Sequence, residues 1–223
     1  EESKLLIDLK HRDFVIDSYM KINNNTEIEG YRYSSAWATN QKIHFVMQFS
    51  LPFTNIEINQ KAAKENGADA KMFKGDSLMA KLSFDVNNGD RLLVKVGVSA
   101  VDVEGARKNL RAEIPNWGFE TVKEKAKESW NKQLSKIQVF GAEDEDMEIF
   151  YTALYHTMIV PNLFSDVDGR YRGLDDKIYT NTDVATYTIF SLWDTFRATH
   201  PLYNLIERDR NAAFINTFVQ HYE

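Results

Sequence analysis

The stretch Ile43-His44-Phe45-Val46-Met47-Gln48-Phe49 decides the fold class. Its odd-numbered positions are all apolar, whereas His44 and Gln48 fall on the other face of an extended chain. This alternation is typical of a β-strand that buries one face of its sheet. The stretch therefore predicts a sheet with one buried face.

Similar β-branched or alternating runs occur on both sides of this stretch. Turn clusters such as Asn66-Gly67 separate them. The predicted strands cover residues 4–9, 13–22, 27–35, 42–49, 53–58, 77–84 and 91–99. Strands with regular turns and no intervening helices favour two packed antiparallel sheets. Residues 1–115 are therefore predicted to form a β-sandwich domain.

The pattern becomes helical after Glu104. Apolar residues recur at spacings of three and four over 119–137, which predicts an amphipathic linker helix within segment 116–143. The remaining segment, 144–223, is predicted to hold three further helices. The first runs from Asp144 to before Pro161, the second covers 187–206 and is perturbed near Pro201, and the third covers 209–222. A long loop over 162–182 separates the first two. Their apolar faces lack an obvious closing partner, so we expect an incomplete helical domain.

Composition excludes several classes of function. The chain has 223 residues, of which 43% are hydrophobic, and 27 Lys and Arg against 33 Asp and Glu give a net charge of -6. No strong basic field is available to bind nucleic acid. No apolar run is long enough for a transmembrane segment, and the absence of cysteine excludes thiol catalysis. No histidine pair has metal-ligand spacing, and no glycine-rich phosphate loop is present.

Trp193, Asp194 and Arg197 form the most informative cluster of ionisable and aromatic residues. A three-residue spacing would place Asp194 and Arg197 on one side of a helix. One interpretation is a structural ion pair beside a core tryptophan. The other is a sugar site, in which the indole stacks on a pyranose and the carboxylate accepts hydrogen bonds from two hydroxyls. The spacing alone does not decide between them.

The acidic loop over 165–173 begins with aspartates at alternate positions, Asp166 and Asp168. A calcium loop of the EF-hand type would need an oxygen ligand and a glycine where this chain has Arg170 and Tyr171. The loop is therefore predicted to be a structured turn beside a cleft rather than a metal loop.

Several segments together resemble family 92 glycoside hydrolases, which are calcium-dependent exo-acting α-mannosidases. The resemblance is carried by Gly30-Tyr31-Arg32 and by residues 45–53, 97–115, 150–156, 166–173 and 191–202. The combination of Phe150-Tyr151-Thr152-Ala153-Leu154-Tyr155-His156 with Ser191-Leu192-Trp193-Asp194-Thr195-Phe196-Arg197 is specific. The resemblance implies an N-terminal β-sandwich followed by the start of a C-terminal (α/α)6 barrel. It also implies that the chain is an internal piece of a longer enzyme.

The resemblance also implies roles for individual residues. Trp193 and Asp194 are expected to bind the terminal mannose at the mouth of the barrel, and Arg197 to orient Asp194. Asp168 and Tyr171 are expected to line the same face. The catalytic acid and base and most Ca²⁺ ligands are expected to be C-terminal to this chain, so no catalytic or metal-binding residue is assigned in it.

The function implied by the resemblance is release of terminal mannose from α-mannosides, with α-1,2 linkages expected, by a calcium-dependent inverting mechanism. The expected partners are mannose-containing glycans and the remainder of the same enzyme. The expected location is the bacterial periplasm or cell surface. The piece on its own is expected to be inactive, since it lacks the acid and base.

Two alternatives remain open. The chain could be a non-catalytic carbohydrate-binding or interaction module, with Trp37 and Trp117 as sugar platforms, although tryptophans in such positions more often belong to a core. It could also belong to another sandwich-plus-barrel sugar enzyme, such as a phosphorylase, which would require phosphate.

Overall fold

A computed structural model of the protein describes residues 2–59, 63–65, 71–87, 89–189 and 191–222. The chain divides into two compact units. Unit 1 comprises Glu1–Trp117 and Asp166–Arg170, and unit 2 comprises Gly118–Ser165 and Tyr171–Glu223. The predicted turn at Asn66-Gly67 lies outside the described residues.

Unit 1 is built on two antiparallel sheets. Its strands are β1 (Glu2–Asp8), β2 (Phe14–Asn24), β3 (Glu27–Ser35), β4 (Gln41–Phe49), β5 (Phe53–Ile58), β6 (Ala63–Glu65), β7 (Met72–Lys74), β8 (Met79–Asp85) and β9 (Val94–Ser99). Among the described residues, one sheet has the order β1-β8-β5 and the other β6-β7-β2-β3-β4-β9. All seven predicted strands are confirmed, and β6 and β7 were not predicted.

The core of unit 1 packs the two sheets together. Phe84 and Leu82 on β8 and Phe49 on β4 are almost completely buried in one cluster with Met20 and Ile28. The Phe49 and Phe84 ring centroids lie 5.4 Å apart. Burial of such side chains contributes roughly 1.5–3 kcal/mol each, so this cluster is the main source of stability in the sandwich. The predicted β-sandwich is confirmed.

Helix α1 (Val103–Glu113) was not predicted, and it covers the outer face of the larger sheet. Ala106 and Leu110 pack on Val46 of β4, which is completely buried. Val46 lies on the face opposite to Phe45 and Phe49, which belong to the core between the sheets. The sequence predicted one buried face, whereas the structure buries both faces of the central part of β4.

An end cap and a bridge between helix and sheet fix α1. Asp102 precedes the helix, and its Oδ1 accepts a hydrogen bond of 2.6 Å from the Gly105 N–H. Arg107 donates to Glu27 Oε1 at 2.7 Å and to Glu29 Oε2 at 2.6 Å, both on β3. These three side chains are largely buried, so the guanidinium and its two carboxylates orient the helix on the sheet.

Unit 2 is mainly helical. Its elements are α2 (Phe119–Leu134), α3 (Asp144–Thr157), β11 (Ile178–Thr180), α4 (Leu192–Thr195), α5 (Thr199–Ile206) and α6 (Arg208–Tyr222), and β11 pairs with β10 (Arg170–Arg172), which begins in unit 1. The predicted helices over 119–137, from Asp144 and over 209–222 are confirmed. Among the described residues, none of the helices combines the length and the hydropathy that a membrane span requires.

The prediction of one helix over 187–206, perturbed near Pro201, is wrong, because the described residues form α4 and α5 there and no helix before Leu192. Tyr187 is extended and forms a bridge with Leu163, and the Thr188 N–H donates to the Asn162 carbonyl at 2.9 Å. A helix cannot continue through Pro201, since proline lacks the N–H and clashes with the preceding turn. The chain instead begins a new helix at Thr199, which places Pro201 in the first turn, where no intrahelical donor is needed. Phe190, within the predicted helix, lies outside the described residues.

Many apolar side chains of unit 2 are exposed. Helix α2 has no fully buried residue, and α3 has only Leu154. Ile149 on α3 and Leu205 on α5 are largely exposed. The antiparallel sheets followed by helices confirm the predicted order of the fold, and the (α/α)6 barrel itself stays a prediction.

Candidate functional site

Trp193 and Asp194 lie on the short helix α4. Ser191 precedes this helix in an extended conformation, and its carbonyl accepts hydrogen bonds from the Asp194 N–H at 3.2 Å and the Thr195 hydroxyl at 3.1 Å. The Trp193 side chain is 85% exposed, and Asp194 is exposed as well. Both an indole face and a carboxylate are therefore open to a ligand in unit 2.

Arg197 lies just beyond the C-terminal end of α4. Helix α4 ends at Thr195, and Arg197 belongs to the turn that follows. Its guanidinium carbon lies 5.4 Å from the ring centroid of Phe196. Among the described residues, no ion pair joins Arg197 to Asp194. The expected role of Arg197 in orienting Asp194 stays a prediction.

Tyr171 is buried in unit 2. Its ring stacks on Tyr179 at a centroid distance of 5.8 Å and meets the edge of His221 at 6.2 Å. Burial lowers the pKa of His221, which favours the neutral imidazole in this aromatic cluster. Tyr171 thus has a packing role, and its predicted contact with a sugar stays a prediction.

Asp168 belongs to unit 1 rather than to the unit that holds the other four predicted residues. Its Oδ2 accepts a hydrogen bond of 2.9 Å from Lys108 on α1 and one of 3.0 Å from Arg170 Nε. The Lys108 ammonium is the main cause of the lowered pKa of Asp168. Its charge is therefore compensated within unit 1, and a role toward a sugar stays a prediction.

Asp166 is a structural centre that the sequence did not reveal. Its side chain is 1% exposed, and it accepts hydrogen bonds of 2.8 Å from both the Ser99 hydroxyl and Asn109 Nδ2. Asn109 in turn accepts from the Val167 N–H at 2.9 Å. Burial raises the pKa of Asp166. Gly105 is required beside it, because a Cβ there would overlap Asp166 Oδ2. Asp166 thus anchors the 166–170 segment on α1.

A second anchor joins the same segment to the start of α1. Arg170 donates to Asp102 Oδ2 at 2.7 Å and to Asp102 Oδ1 at 3.3 Å. The Arg170 guanidinium holds the pKa of Asp102 below its usual value. Asp102 thus caps the helix and binds Arg170 at once, so its charge links two parts of unit 1 that are distant in sequence.

Replacing Asp102 by asparagine is expected to destabilise α1 by about 1 kcal/mol at pH 7. The amide can still cap the helix, and the half-exposed ion pair is screened by solvent. Because the folded-state pKa is lowered, this contribution is complete above the unfolded value of 3.8 and is lost as pH falls below it. Hydrogen exchange of α1 amides at neutral pH and thermal unfolding over the acid range would measure it.

The control for this prediction is Asp85→Asn, which changes an exposed carboxylate at the end of β8. We expect that variant to match the unaltered protein at neutral pH. If the stability lost in the Asp102→Asn variant did not decline anywhere below pH 3.8, the ion pair with Arg170 would not be the cause.

Comparison with known proteins assigns the chain to a family. The sequence profile of the glycosyl hydrolase family 92 N-terminal domain matches residues 1–99, and that of the glycosyl hydrolase family 92 catalytic domain matches residues 105–223. The chain belongs to glycosyl hydrolase family 92. The boundary between the two matches falls at the start of α1, and the predicted division into 1–115, 116–143 and 144–223 stays a prediction.

Solved structures of family 92 enzymes have the same fold. A family 92 α-mannosidase from Bacteroides thetaiotaomicron superposes with a TM-score of 0.91 and 33% identity, over 99% of this chain and 30% of that chain. An inverting family 92 mannosidase from strain VPI-5482 of that species gives a TM-score of 0.76 and 25% identity, over 91% of this chain and 27% of that chain. This family 92 chain therefore spans less than a third of either enzyme.

A curated relative is an uncharacterized secreted glycosidase from the fungus Arthroderma benhamiae. It is 35% identical over 79 residues, which are 34% of this chain and 10% of the relative. Family 92 membership confirms the resemblance read from the sequence, including the β-domain followed by helices. The roles of individual residues in sugar binding are not part of that confirmation.

Proposed function

We propose that this family 92 chain is part of an α-mannosidase that releases terminal mannose from α-mannosides. The observation that carries the proposal is the superposition on a family 92 α-mannosidase, with a TM-score of 0.91 over 99% of this chain at 33% identity. The match covers the β-domain and the helices alike, which supports a shared architecture. The proposed location is extracytoplasmic, in a bacterial periplasm or at a cell surface, and the secreted glycosidase relative supports secretion.

In the proposed site, Trp193 and Asp194 hold the terminal mannose. An indole face packs against the apolar face of a pyranose, while a carboxylate accepts hydrogen bonds from two neighbouring hydroxyls. Their exposure on α4 supports this role. Arg197 and Tyr171 in unit 2 and Asp168 in unit 1 are proposed as further residues that contact the sugar. The ion pairs of Asp168 and the burial of Tyr171 make those two weaker candidates.

The proposed reaction is an inverting hydrolysis. A carboxylic acid protonates the leaving oxygen, and a carboxylate roughly 6.5–9.5 Å away activates water on the opposite face of the sugar. We propose that both groups come from residues C-terminal to this chain, so that this chain contributes binding and orientation. The isolated chain is accordingly expected to be inactive. The inverting mannosidase among the similar structures supports this stereochemistry.

Calcium is proposed as the cofactor of the whole enzyme. In the part of the chain that the structure describes, no three His, Asp or Glu side chains come together as a metal site requires. The described residues therefore do not supply a carboxylate cluster of the kind that calcium sites use. Most of the proposed ligands lie elsewhere in the enzyme.

The test is a hydrolysis assay on the full-length enzyme. We expect release of mannose from α-1,2-linked mannobiose, with β-mannose as the first product by NMR, and at least a tenfold loss of rate after chelation that added Ca²⁺ restores. A β-linked mannobiose is the matched control and should not be cleaved. Absence of α-mannoside hydrolysis by the calcium-loaded enzyme would contradict the proposal, and a requirement for phosphate would favour a phosphorylase.

A second candidate, a non-catalytic carbohydrate-binding module, is favoured by Trp37. This residue is completely exposed in the turn between β3 and β4. Trp117 is a poorer platform, because Lys95 lies over its ring at 4.4 Å from the centroid. Mannoside binding without mannose release by the full-length protein, with binding lost in Trp37→Ala, would favour this candidate over the enzyme.

A further inference from the structure

A cavity of about 370 Å³ lies within unit 2, between α2, the segment that follows α3 and helices α5 and α6. The lining includes four aromatic side chains, one carboxylate and one guanidinium. These belong to Trp130, Tyr187, Tyr203, Phe214, Glu207 and Arg210. None of the residues predicted to bind the terminal mannose lines this cavity.

Ring contacts and hydrogen bonds fix the aromatic side chains that line the cavity. Phe214 meets the edges of Tyr187 at 4.8 Å and Tyr203 at 5.6 Å between ring centroids. The Tyr203 hydroxyl donates a hydrogen bond to the carbonyl oxygen of Thr157, the last residue of α3. It also lies 3.1 Å from the carbonyl oxygen of Val160, which belongs to the segment after α3. Tyr203 and Phe214 are almost completely buried. The cavity thus has walls fixed by packing and hydrogen bonds, as preformed ligand sites do.

Glu207 brings a carboxylate to this apolar cavity. The residue is buried, and its Oε1 accepts a hydrogen bond from Lys136. Its Oε2 lies 3.8 Å from Arg210 Nε, which is beyond hydrogen-bond distance. One carboxylate oxygen therefore keeps acceptor capacity.

Arg210 supplies donors beside that acceptor. Its side chain is 40% exposed and lines the cavity, so its guanidinium N–H groups can reach a ligand. The lining contributes one negative and one positive charge, which favours a neutral ligand over an anion or a cation. A ligand with several hydroxyls can donate to Glu207, accept from Arg210 and place an apolar face on Trp130 or Tyr187.

We propose that this cavity binds one neutral polyhydroxylated ring, a single monosaccharide or a polyol of that size. A volume at the lower end of the range for ligand pockets suits one sugar ring rather than an oligosaccharide. The inference does not depend on mannosidase activity, because it rests only on the shape and chemistry of the cavity.

The test uses the full-length protein carrying Asp194→Ala, which weakens sugar binding at the proposed mannose site. Calorimetric titrations with D-mannose, D-glucose, N-acetylglucosamine and myo-inositol are compared with and without Arg210→Gln. We expect at least one of these ligands to bind, and its Kd to rise at least tenfold with Arg210→Gln. The matched control is Arg208→Gln, an exposed arginine on the same helix that does not line the cavity, and it should change Kd less than twofold.

A second measurement does not require removal of the arginine. Trp130→Phe keeps an aromatic ring beside Tyr155, which Trp130 contacts edge-on, so the fold should be retained. If the sugar packs on the indole, the ligand-induced change in tryptophan fluorescence should be lost in this variant. The proposal is overturned if none of the four ligands binds, or if Arg210→Gln and Arg208→Gln bind with equal affinity. A full fluorescence change in Trp130→Phe assigns the stacking to Tyr187 instead.

Discussion

Replacing Asp194 by alanine in the full-length enzyme is expected to lower kcat/KM for an α-mannoside by about 100-fold. A carboxylate that accepts two hydrogen bonds from sugar hydroxyls contributes on the order of 3 kcal/mol to transition-state binding, which corresponds to that factor. Asp194 is exposed, and within the described residues no cation pairs with it, so its oxygens are open to a substrate. Initial-rate kinetics with an α-1,2-mannobiose would measure the effect.

The matched control is Asp183→Ala, which removes another exposed aspartate of unit 2. Its kcat/KM should stay within twofold of the unaltered enzyme. Circular dichroism would establish that both variants are folded. If Asp194→Ala retained more than half of the activity, Asp194 would not hold the substrate, and the ligand role of α4 would have to be abandoned.

The replacement Gly97→Ala is expected to have the largest effect on stability, lowering the free energy of opening of α1 by about 3 kcal/mol. A Cβ on Gly97 would overlap the Ala106 carbonyl oxygen and lie 2.6 Å from Leu110 Cβ. Both neighbours belong to α1, so the helix must move away from β9. That movement would open the packing on Val46. Native-state hydrogen exchange of α1 amides would report the change.

A matched control is Val98→Ala, on the same strand but with a side chain that is 56% exposed. This variant removes apolar atoms without adding any between helix and sheet, so we expect a loss below about 1 kcal/mol. Equal exchange rates for α1 in Gly97→Ala and in the unaltered protein would show that the helix tolerates the extra methyl group and that its close approach to β9 is not required.

The strands were predictable because their signal is local. Alternation in β4 and the turn residues between runs depend only on neighbouring positions. The same holds for α2, α3 and α6, each of which carries an apolar stripe at helical spacing. Charged residues opposite the stripe of α2 strengthened that prediction.

Helix α1 was missed because its stability depends on tertiary contacts. Its apolar stripe consists of only Val103, Ala106 and Leu110, and Gly105 lowers helix propensity in its first turn. What holds it is the sheet beneath and the bridge from Arg107 to Glu27, whose partners are 80 positions apart. No local pattern contains that information.

In the candidate site, too, the residues with a local sequence signal were predicted, and those held by distant contacts were not. Trp193 and Asp194 were recognised because they are adjacent in a distinctive motif, and their exposure was not predictable. The Asp166 cluster was not recognised, because its partners Ser99 and Asn109 are 67 and 57 positions away. The one available signal was Asp102 before a short amphipathic run, which indicates a helix cap.

The assignment of Asp166–Arg170 to unit 1 has a consequence for biosynthesis. A ribosome must make all of Gly118–Ser165 before this segment can leave the exit tunnel. Until then, the Ser99 hydroxyl and Asn109 amide that later bind Asp166 remain hydrated. The nascent sandwich therefore completes its packing only when helical sequence has already emerged. Exposed apolar helix faces and an unfinished sheet domain then coexist on the growing chain. Chaperone binding would be most valuable in that state.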